Sequence, residues 1–193
     1  SIVREKINIP SVTSEMKKGN IAYIRISNFN NKTVNEFDTA IQDVLSKKPK
    51  GLILDLRRNP GGYLDSSVIV ASEWIKEGVV VRERFTDKNI REHKSSGKHR
   101  LADLSTVVLV DEGTASGAEI VAGALQDYGV AKIIGTKTFG KGSVQDFEFL
   151  RDGSALKLTI AKWFTPKDRG IDKEGITPDI VIEEMFEVKE CAD

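Results

Sequence analysis

A lysine between two glycines is the first feature of the sequence that points to chemistry. Lys141 lies in IIGTKTFGKGSVQ, residues 133–145, one residue away from the phosphate-binding pattern G-x-x-x-x-G-K-[ST]. That pattern needs Ser or Thr directly after the lysine and a helix after the loop, because they hold Mg²⁺ and the phosphates. Here Gly142 follows the lysine, and SVQDFEFL alternates like a strand. The sequence therefore disfavours a nucleotide site and leaves a solvated loop lysine as the plain alternative.

Ser116 is the second residue that could carry chemistry. It lies in VVLVDEGTASGAEIVAGAL, where an apolar strand leads through a loop into a helix. Small neighbours leave its hydroxyl approachable, as in a nucleophile elbow. The amides at the start of a helix can also stabilise an oxyanion on an attacked carbonyl. The alternative is that Ser116, or Thr114, only caps the helix.

A serine nucleophile requires a base. The two histidines, His93 and His99, both lie in the charged stretch TDKNIREHKSSGKHR, which predicts a solvated loop or hairpin that forms a mobile flap or cap beside the cleft. Lys141 follows Ser116 by 25 residues, about one βαβ unit, and such loops emerge at the same edge of a parallel sheet. The spacing therefore favours a Ser116–Lys141 pair, and a lysine accepts a proton only when burial keeps its amine neutral.

The elements around these loops predict an α/β fold. Apolar strands GLILDL, STVVLV and AKIIG alternate with helices TVNEFDTAIQDVLSKK, YLDSSVIVASEWI and GAEIVAGALQDY, as in right-handed βαβ units. Thr33 and Glu36 predict the start of the first helix. Further strands are expected at residues 7–9, 21–26 and 79–85 and in GITPDIVIE. SVQDFEFL and ALKLTIAKWFTP read as an antiparallel pair around RDGS, and the second of them is expected to bind an extended substrate at its edge.

The composition excludes several classes of protein. The chain has 193 residues with 29 basic and 29 acidic side chains, so no net charge attracts it to nucleic acid or membrane. Its single cysteine, Cys191, excludes a disulfide scaffold. No apolar run approaches the ~20 residues of a membrane span. The opening SIVREKINIP has no signal-like segment, which predicts either a cytoplasmic chain or a trimmed piece of something longer.

Four motifs, in this order, resemble the carboxyl-terminal processing (tail-specific) serine proteases. They are GLILDLRRNPGGYL, VVLVDEGTASGAEIVAGAL, GTKTFGKGSVQ and LTIAKWFTPKDRGIDKEGITPDIVI, and the similarity extends from about residue 21 to residue 181. The resemblance implies a ClpP/crotonase-like α/β core, a mixed β-sheet with flanking helices, plus a small β-rich cap region. It implies an endopeptidase that cleaves proteins near their C-termini.

The resemblance also assigns residues. Ser116 is the implied nucleophile, Lys141 its general base, and Gln145 the side chain that orients the lysine. A neutral amide suits that place, because a carboxylate would stabilise the charged amine. The implied oxyanion donors are the backbone amides of Gly61, Gly62 and Gly117. No metal and no cofactor are expected.

The resemblance bears on organisation as well. Residues 1–193 are expected to form a single catalytic core, with about 1–20 and 76–105 as cap or strap elements. The PDZ domain that most relatives carry is not evident, and the full-length protein could contain one or self-associate. The expected partners are protein C-terminal tails, with no nucleic acid and no nucleotide, and the expected location is extracytoplasmic: envelope, periplasm, secreted or organelle lumen. A catalytically inactive binding or scaffold fragment is the alternative.

Overall fold

The computed structural model describes residues 9–182, which form two sheets and three helices. In chain order the elements are β1 (Val12–Lys17), β2 (Ile21–Ile26), α1 (Thr33–Ser46), β3 (Gly51–Asp55), α2 (Leu64–Ala71), β4 (Val79–Thr86), β5 (Asn89–Lys94), β6 (Thr106–Val110), α3 (Gly117–Tyr128), β7 (Lys132–Gly135), β8 (Ser143–Phe149), β9 (Ala155–Phe164) and β10 (Ile180–Val181).

The larger sheet is mixed. Its strand order is β1-β2-β3-β6-β7-β10, and every neighbouring pair is parallel except the antiparallel pair β1–β2. Apolar residues of its central strands are fully buried, including Ile24, Leu54, Val108 and Ile133, as expected where a sheet is covered on both faces. This arrangement confirms the predicted α/β core with flanking helices.

The smaller sheet is antiparallel, with the order β5-β4-β9-β8. The predicted pair around RDGS is β8 and β9, whose turn is closed by the Gly153 N–H donating to Leu150 O at 3.1 Å. The resemblance implied a β-rich cap that includes residues 76–105; β4 and β5 come from that range, and they form this sheet together with β8 and β9. Among the described residues no helix is long and apolar enough to cross a membrane.

Two boundaries at the start of the chain differ from prediction. The strand expected at 7–9 falls mostly outside the described residues, and the observed strand is β1. The helix expected to begin with Thr33 as N-cap has Lys32 in that position. Glu36 binds the Ser11 N–H at 2.7 Å instead of the helix start, so this carboxylate anchors the beginning of β1.

The stretch YLDSSVIVASEWI predicted a helix over residues 63–75, but α2 ends at Ala71. The Ser72 hydroxyl donates to Val68 O at 2.7 Å, and the next N–H groups fold into tighter i→i+3 turns, such as Glu73 N–H to Val70 O. The residues that follow still reach the core, where Trp74 packs against Phe37 with ring centres 6.1 Å apart.

Candidate active site

Three loops meet at one edge of the larger sheet. They follow the neighbouring parallel strands β3, β6 and β7, and they carry the Gly61–Gly62 turn, Ser116 and Lys141 respectively. Because parallel strands end at the same edge, the topology gathers residues that are far apart in the sequence. The Ser116 and Lys141 loops were expected to emerge at the same edge of a parallel sheet, and they do.

Ser116 occupies a strained position directly before α3. Its φ of 55° and ψ of −121° are unusual for a residue with a side chain, and only 6% of its surface is exposed. Such conformations persist where the surrounding structure enforces them, and they are typical of serine nucleophiles on strand-to-helix turns. A methyl group at Gly61 would lie 2.5 Å from Ser116 Cβ, so only glycine permits this approach.

Asn59 fastens the glycine turn to the serine loop. Its backbone oxygen accepts the Ala115 N–H at 2.8 Å, one residue before the serine. Its buried side chain donates to Ile26 O at 2.9 Å and accepts the Gly61 N–H at 2.8 Å. Both loops are thereby held in register.

The three glycine amides near Ser116 are not equivalent. The Gly61 N–H is already bound to Asn59, which leaves it unsuited to stabilise an oxyanion. In the part of the chain that the structure describes, neither the Gly62 N–H nor the Gly117 N–H donates to a protein acceptor. The turn also brings Gly62 N within 3.6 Å of where a Gly117 side chain would begin. Of the three amides that the resemblance implied as oxyanion donors, those of Gly62 and Gly117 are therefore the available pair.

A buried carboxylate joins the serine loop to the lysine loop. Glu119, in the first turn of α3, is fully buried, and its Oε2 accepts the backbone N–H groups of Ser116 and Lys141, each at 2.8 Å. Its Oε1 accepts the Thr138 hydroxyl at 2.5 Å and the Gly140 N–H at 2.7 Å. All four donors come from the two loops, so this carboxylate fixes the position of one relative to the other.

The side chains of Lys141 and Gln145 differ from expectation in their environment. Both are exposed, and among the described residues no hydrogen bond joins the Lys141 amine to Ser116 or to Gln145. The backbone places the lysine beside the serine, but the burial that a neutral amine requires is not present in this chain alone.

The resemblance to a phosphate loop fails on structural grounds as well. The Gly140 and Lys141 N–H groups, which would have to bind phosphate, donate to Glu119 instead. Strand β8 follows the loop in place of a helix. A side chain at Gly142 would lie 2.2 Å from Asp172 N, so this glycine serves close packing between two backbone segments.

Both histidines have structural partners. His93 Nε2 lies 3.3 Å from the buried carboxylate of Glu83, and His99 Nδ1 lies 2.7 Å from Ser72 O. They are partly buried rather than fully solvated, and neither is hydrogen bonded to Ser116. Each histidine is thus engaged away from the serine loop, with Glu83 and Ser72 respectively.

An ion pair supports the base of the glycine turn. Asp55 ends β3 fully buried and accepts the Tyr23 hydroxyl at 2.6 Å and the Arg57 guanidinium at 2.7 and 3.0 Å. Burial by itself raises the pKa of Asp55, but the hydrogen bonds from Arg57 and Tyr23 outweigh it and hold the pKa below its usual value. Burial and the bond to Asp55 raise the pKa of Tyr23. The carboxylate is therefore retained in its charged form.

Two positioning residues were missed by sequence reasoning. Glu119 follows Ser116 by three residues, the Ser-x-x-Glu spacing of a capping box, and this signal was present in the sequence. Asn59 gave no such signal, because its partners Ile26 and Ala115 are distant along the chain and become neighbours only in the sheet.

Known proteins with similar sequences identify the family of this chain. The model of peptidase family S41 matches residues 20–182. The carboxy-terminal-processing protease of Bartonella bacilliformis is 42% identical over 97% of this chain and 44% of its own length. The carboxy-terminal processing protease CtpA of Bacillus subtilis is 41% identical over 95% of this chain and 39% of its own length. The chain thus spans less than half of these relatives.

Solved structures share the fold. The photosystem II D1 C-terminal processing protease superposes with a TM-score of 0.84 at 32% identity, covering 93% of this chain and 50% of that one. Mature CPAF superposes with a TM-score of 0.68 at 17% identity, covering 88% and 49%, a likeness that concerns the fold alone. Since the family model matches most of the sequence and relatives above 40% identity cover nearly all of it, the chain belongs to peptidase family S41.

Proposed function

We propose that this chain is the catalytic core of a serine endopeptidase in which Ser116 is the nucleophile and Lys141 the general base. The observation that carries the proposal is the Glu119 carboxylate, which binds the backbone of both residues with one oxygen atom. A carboxylate so placed holds a nucleophile loop and a base loop together, and the amides of Gly62 and Gly117 remain available beside them.

The chemistry follows from this placement. The Ser116 hydroxyl attacks the carbonyl carbon of the substrate while the Lys141 amine takes its proton. The oxygen of the carbonyl becomes an anion that the Gly62 and Gly117 N–H groups stabilise. Lys141 then gives its proton to the departing amine, and water releases the acyl group from the serine by the same steps in reverse order.

Substrate binding would supply the burial of the Lys141 amine that the free chain lacks. The side chain of Lys141 is exposed in the free chain. A peptide lying across Ser116 would cover the lysine and remove its water, and Gln145, four residues later, would offer a neutral oxygen to hold the amine. Any reactant seated beside Ser116, whether a peptide or a fluorophosphonate, would cover the amine in this way.

The substrates are proposed to be the C-terminal tails of proteins, by analogy with relatives named carboxy-terminal processing proteases. Residues 1–193 would act as one catalytic core, with about 76–105 as a cap or strap element. The other range expected to do so, about 1–20, contains β1, which belongs to the larger sheet. A PDZ domain elsewhere in the full-length protein, or self-association, would complete substrate selection. An extracytoplasmic location is proposed on the same family resemblance.

Labelling with a fluorophosphonate tests the proposal. The wild-type chain is expected to react covalently at Ser116 and to cleave an unfolded protein, whereas Ser116→Ala should do neither. The alanine variant should remain folded, since loss of a helix N-cap costs about 1 kcal/mol. Absence of labelling in folded wild-type protein would favour the inactive scaffold instead, and cleavage by Ser116→Ala would exclude the assigned nucleophile.

A further inference from the structure

The outer edge of β8 is an unpaired strand edge that begins next to the proposed site. In the described part of the chain, Ser143–Phe149 pairs with β9 on one side only. The strand starts two residues after Lys141 and is seven residues long, about 24 Å at the usual rise per residue. Near the site, β9 has neighbours on both sides, since Lys162 pairs with both Ser143 and Arg84. The open edge beside Lys141 is therefore that of β8 and not the edge of β9 that the sequence suggested.

The register fixes which backbone groups point outward. The Leu150 N–H donates to Ser154 O, so the backbone of Leu150 faces β9. Because the direction alternates along an antiparallel pair, the N–H and C=O groups of Phe147 and Phe149 point away from β9. The Phe147 N–H is occupied by its neighbour, since it donates to Asp146 Oδ1 at 2.8 Å. This carboxylate fills the place that the carbonyl of an added strand would take.

The two faces of β8 differ in chemistry at this edge. Phe147 and Phe149 share one face and are 53% and 80% exposed. Asp146 and Glu148 share the other face and are also exposed. Edges that avoid pairing usually carry charged residues, proline or a bulge. The outer edge of β8 has charges on one face only, and the exposed aromatic rings on its other face are the opposite of such protection. A strand added here would place alternate side chains beside aromatic rings and beside carboxylates.

We propose that the outer edge of β8 binds the extended substrate as an added strand and selects chains in which apolar and basic residues alternate. The inference rests on the proposed peptidase function. Backbone pairing would hold the chain in an extended form and lead it toward Ser116, while the rings of Phe147 and Phe149 take the apolar residues. A basic residue would draw the Asp146 carboxylate off the Phe147 N–H and so free this donor for the substrate.

Charge argues for a substrate rather than a second copy of this chain. If two β8 edges paired about a twofold axis normal to the sheet, they would form one continuous sheet. Asp146 and Glu148 of one copy would then lie beside the same residues of the other copy, on one face of that sheet. Like charges directly opposite each other destabilise a strand pair. A basic extended chain has no such conflict, so it is the occupant that the edge fits.

Binding to the Ser116→Ala variant, which cannot turn over the ligand, tests this assignment. Three fluorescein-labelled peptides are compared by anisotropy: alternating leucine and lysine, the isomer with the same residues in two blocks, and alternating leucine and glutamate. The alternating leucine–lysine peptide is expected to bind about tenfold more tightly than either of the others. Equal affinity for the alternating peptide and its block isomer would overturn the proposal.

A proline scan locates the bound peptide. Phe147→Pro removes the outward N–H without removing a bond to β9, and it should weaken binding about tenfold. Arg151→Pro is the matched control, because it places proline at the second residue of the Leu150–Gly153 turn, where proline is favoured. If both prolines leave the affinity unchanged while the melting temperatures match, the peptide binds elsewhere and the proposal is wrong. If Phe147→Pro fails to fold, Asp146→Lys replaces it, with about tenfold weaker binding of the leucine–lysine peptide expected and unchanged affinity overturning the proposal.

The peptidase proposal and the proposal for the β8 edge can be refuted independently of each other. Fluorophosphonate labelling of the wild-type chain reports on the nucleophile, and peptide binding to Ser116→Ala reports on the edge. Labelling without selective peptide binding would overturn the edge assignment alone. Selective binding without labelling would overturn the peptidase and leave β8 as a peptide-binding edge. Concentration-dependent dimerisation that Phe147→Pro abolishes would assign the edge to a second copy and overturn the substrate assignment.

Discussion

Replacing Glu119 with glutamine keeps the size of the side chain but removes one of its two acceptor oxygens. In the wild-type chain the two oxygens accept four donors: the N–H groups of Ser116 and Lys141 on one, the Thr138 hydroxyl and the Gly140 N–H on the other. A glutamine turns an NH₂ group toward one of these pairs, whichever way its amide is placed. In one placement the Ser116 and Lys141 N–H groups lose their acceptor, and in the other the Thr138 hydroxyl and the Gly140 N–H lose theirs, so the lysine loop loses one or two of its three bonds to this side chain.

The size of the stability loss in Glu119→Gln follows from the burial of this side chain. Glu119 is fully buried, so no solvent replaces the acceptor that is lost. Each buried donor left without an acceptor costs about 1–3 kcal/mol, which gives about 2–6 kcal/mol for the pair. For a domain of this size the midpoint of thermal unfolding should fall by at least about 4 °C. Labelling of Ser116 should slow in parallel, because either the shared bond between the serine and lysine loops is lost or the lysine loop keeps only one of its three bonds to this side chain.

Differential scanning calorimetry and the rate of fluorophosphonate labelling measure these two effects. Glu112→Gln is the matched control, since it removes the same charge from an exposed position in the serine loop and should change neither quantity. The reasoning is refuted if Glu119→Gln unfolds within 1 °C of the wild type, about what an exposed substitution would do, and labels at the wild-type rate.

Three further predictions concern the base, the ion pair and the oxyanion donors. Lys141→Ala should cut peptide hydrolysis by about 10²–10⁴, and Lys141→Arg should fail similarly because guanidinium does not give up its proton; near-normal kcat/KM in the arginine variant would exclude a base role. The pKa of Asp55 is lowered in the folded chain, so it stabilises the fold above its unfolded pKa of about 4, and this contribution is lost as the pH falls through the lower folded pKa. Urea unfolding should therefore show the advantage of wild type over Asp55→Asn shrinking below about pH 4, and a constant difference would contradict it. Gly62→Ala should slow labelling about tenfold or more, since its φ is 141° and its new methyl would lie 1.9 Å from Phe29 O. Gly153→Ala, also at positive φ but with nothing within 4 Å, is the control, and equal labelling rates in the two variants would argue against Gly62 as a donor.

The sequence by itself determined the order of elements and the places where chemistry could occur. Continuous apolar runs identify β3, β6 and β7 as buried strands, because a strand covered on both faces has no polar side to alternate with. The ends of those runs locate Ser116 at the start of a helix and Lys141 in a glycine-rich loop. These features are local, and local patterns of hydrophobicity and turn residues suffice to find them.

The tertiary structure decided how these residues are arranged. Whether Gly61 or Gly62 has a free amide depends on Asn59, and the distance between the serine and lysine loops depends on Glu119. It also decided that β8, rather than β9, is the open edge beside the lysine. Such facts depend on contacts between segments that are far apart in the chain, and a backbone N–H carries no mark in the sequence of the acceptor it will find.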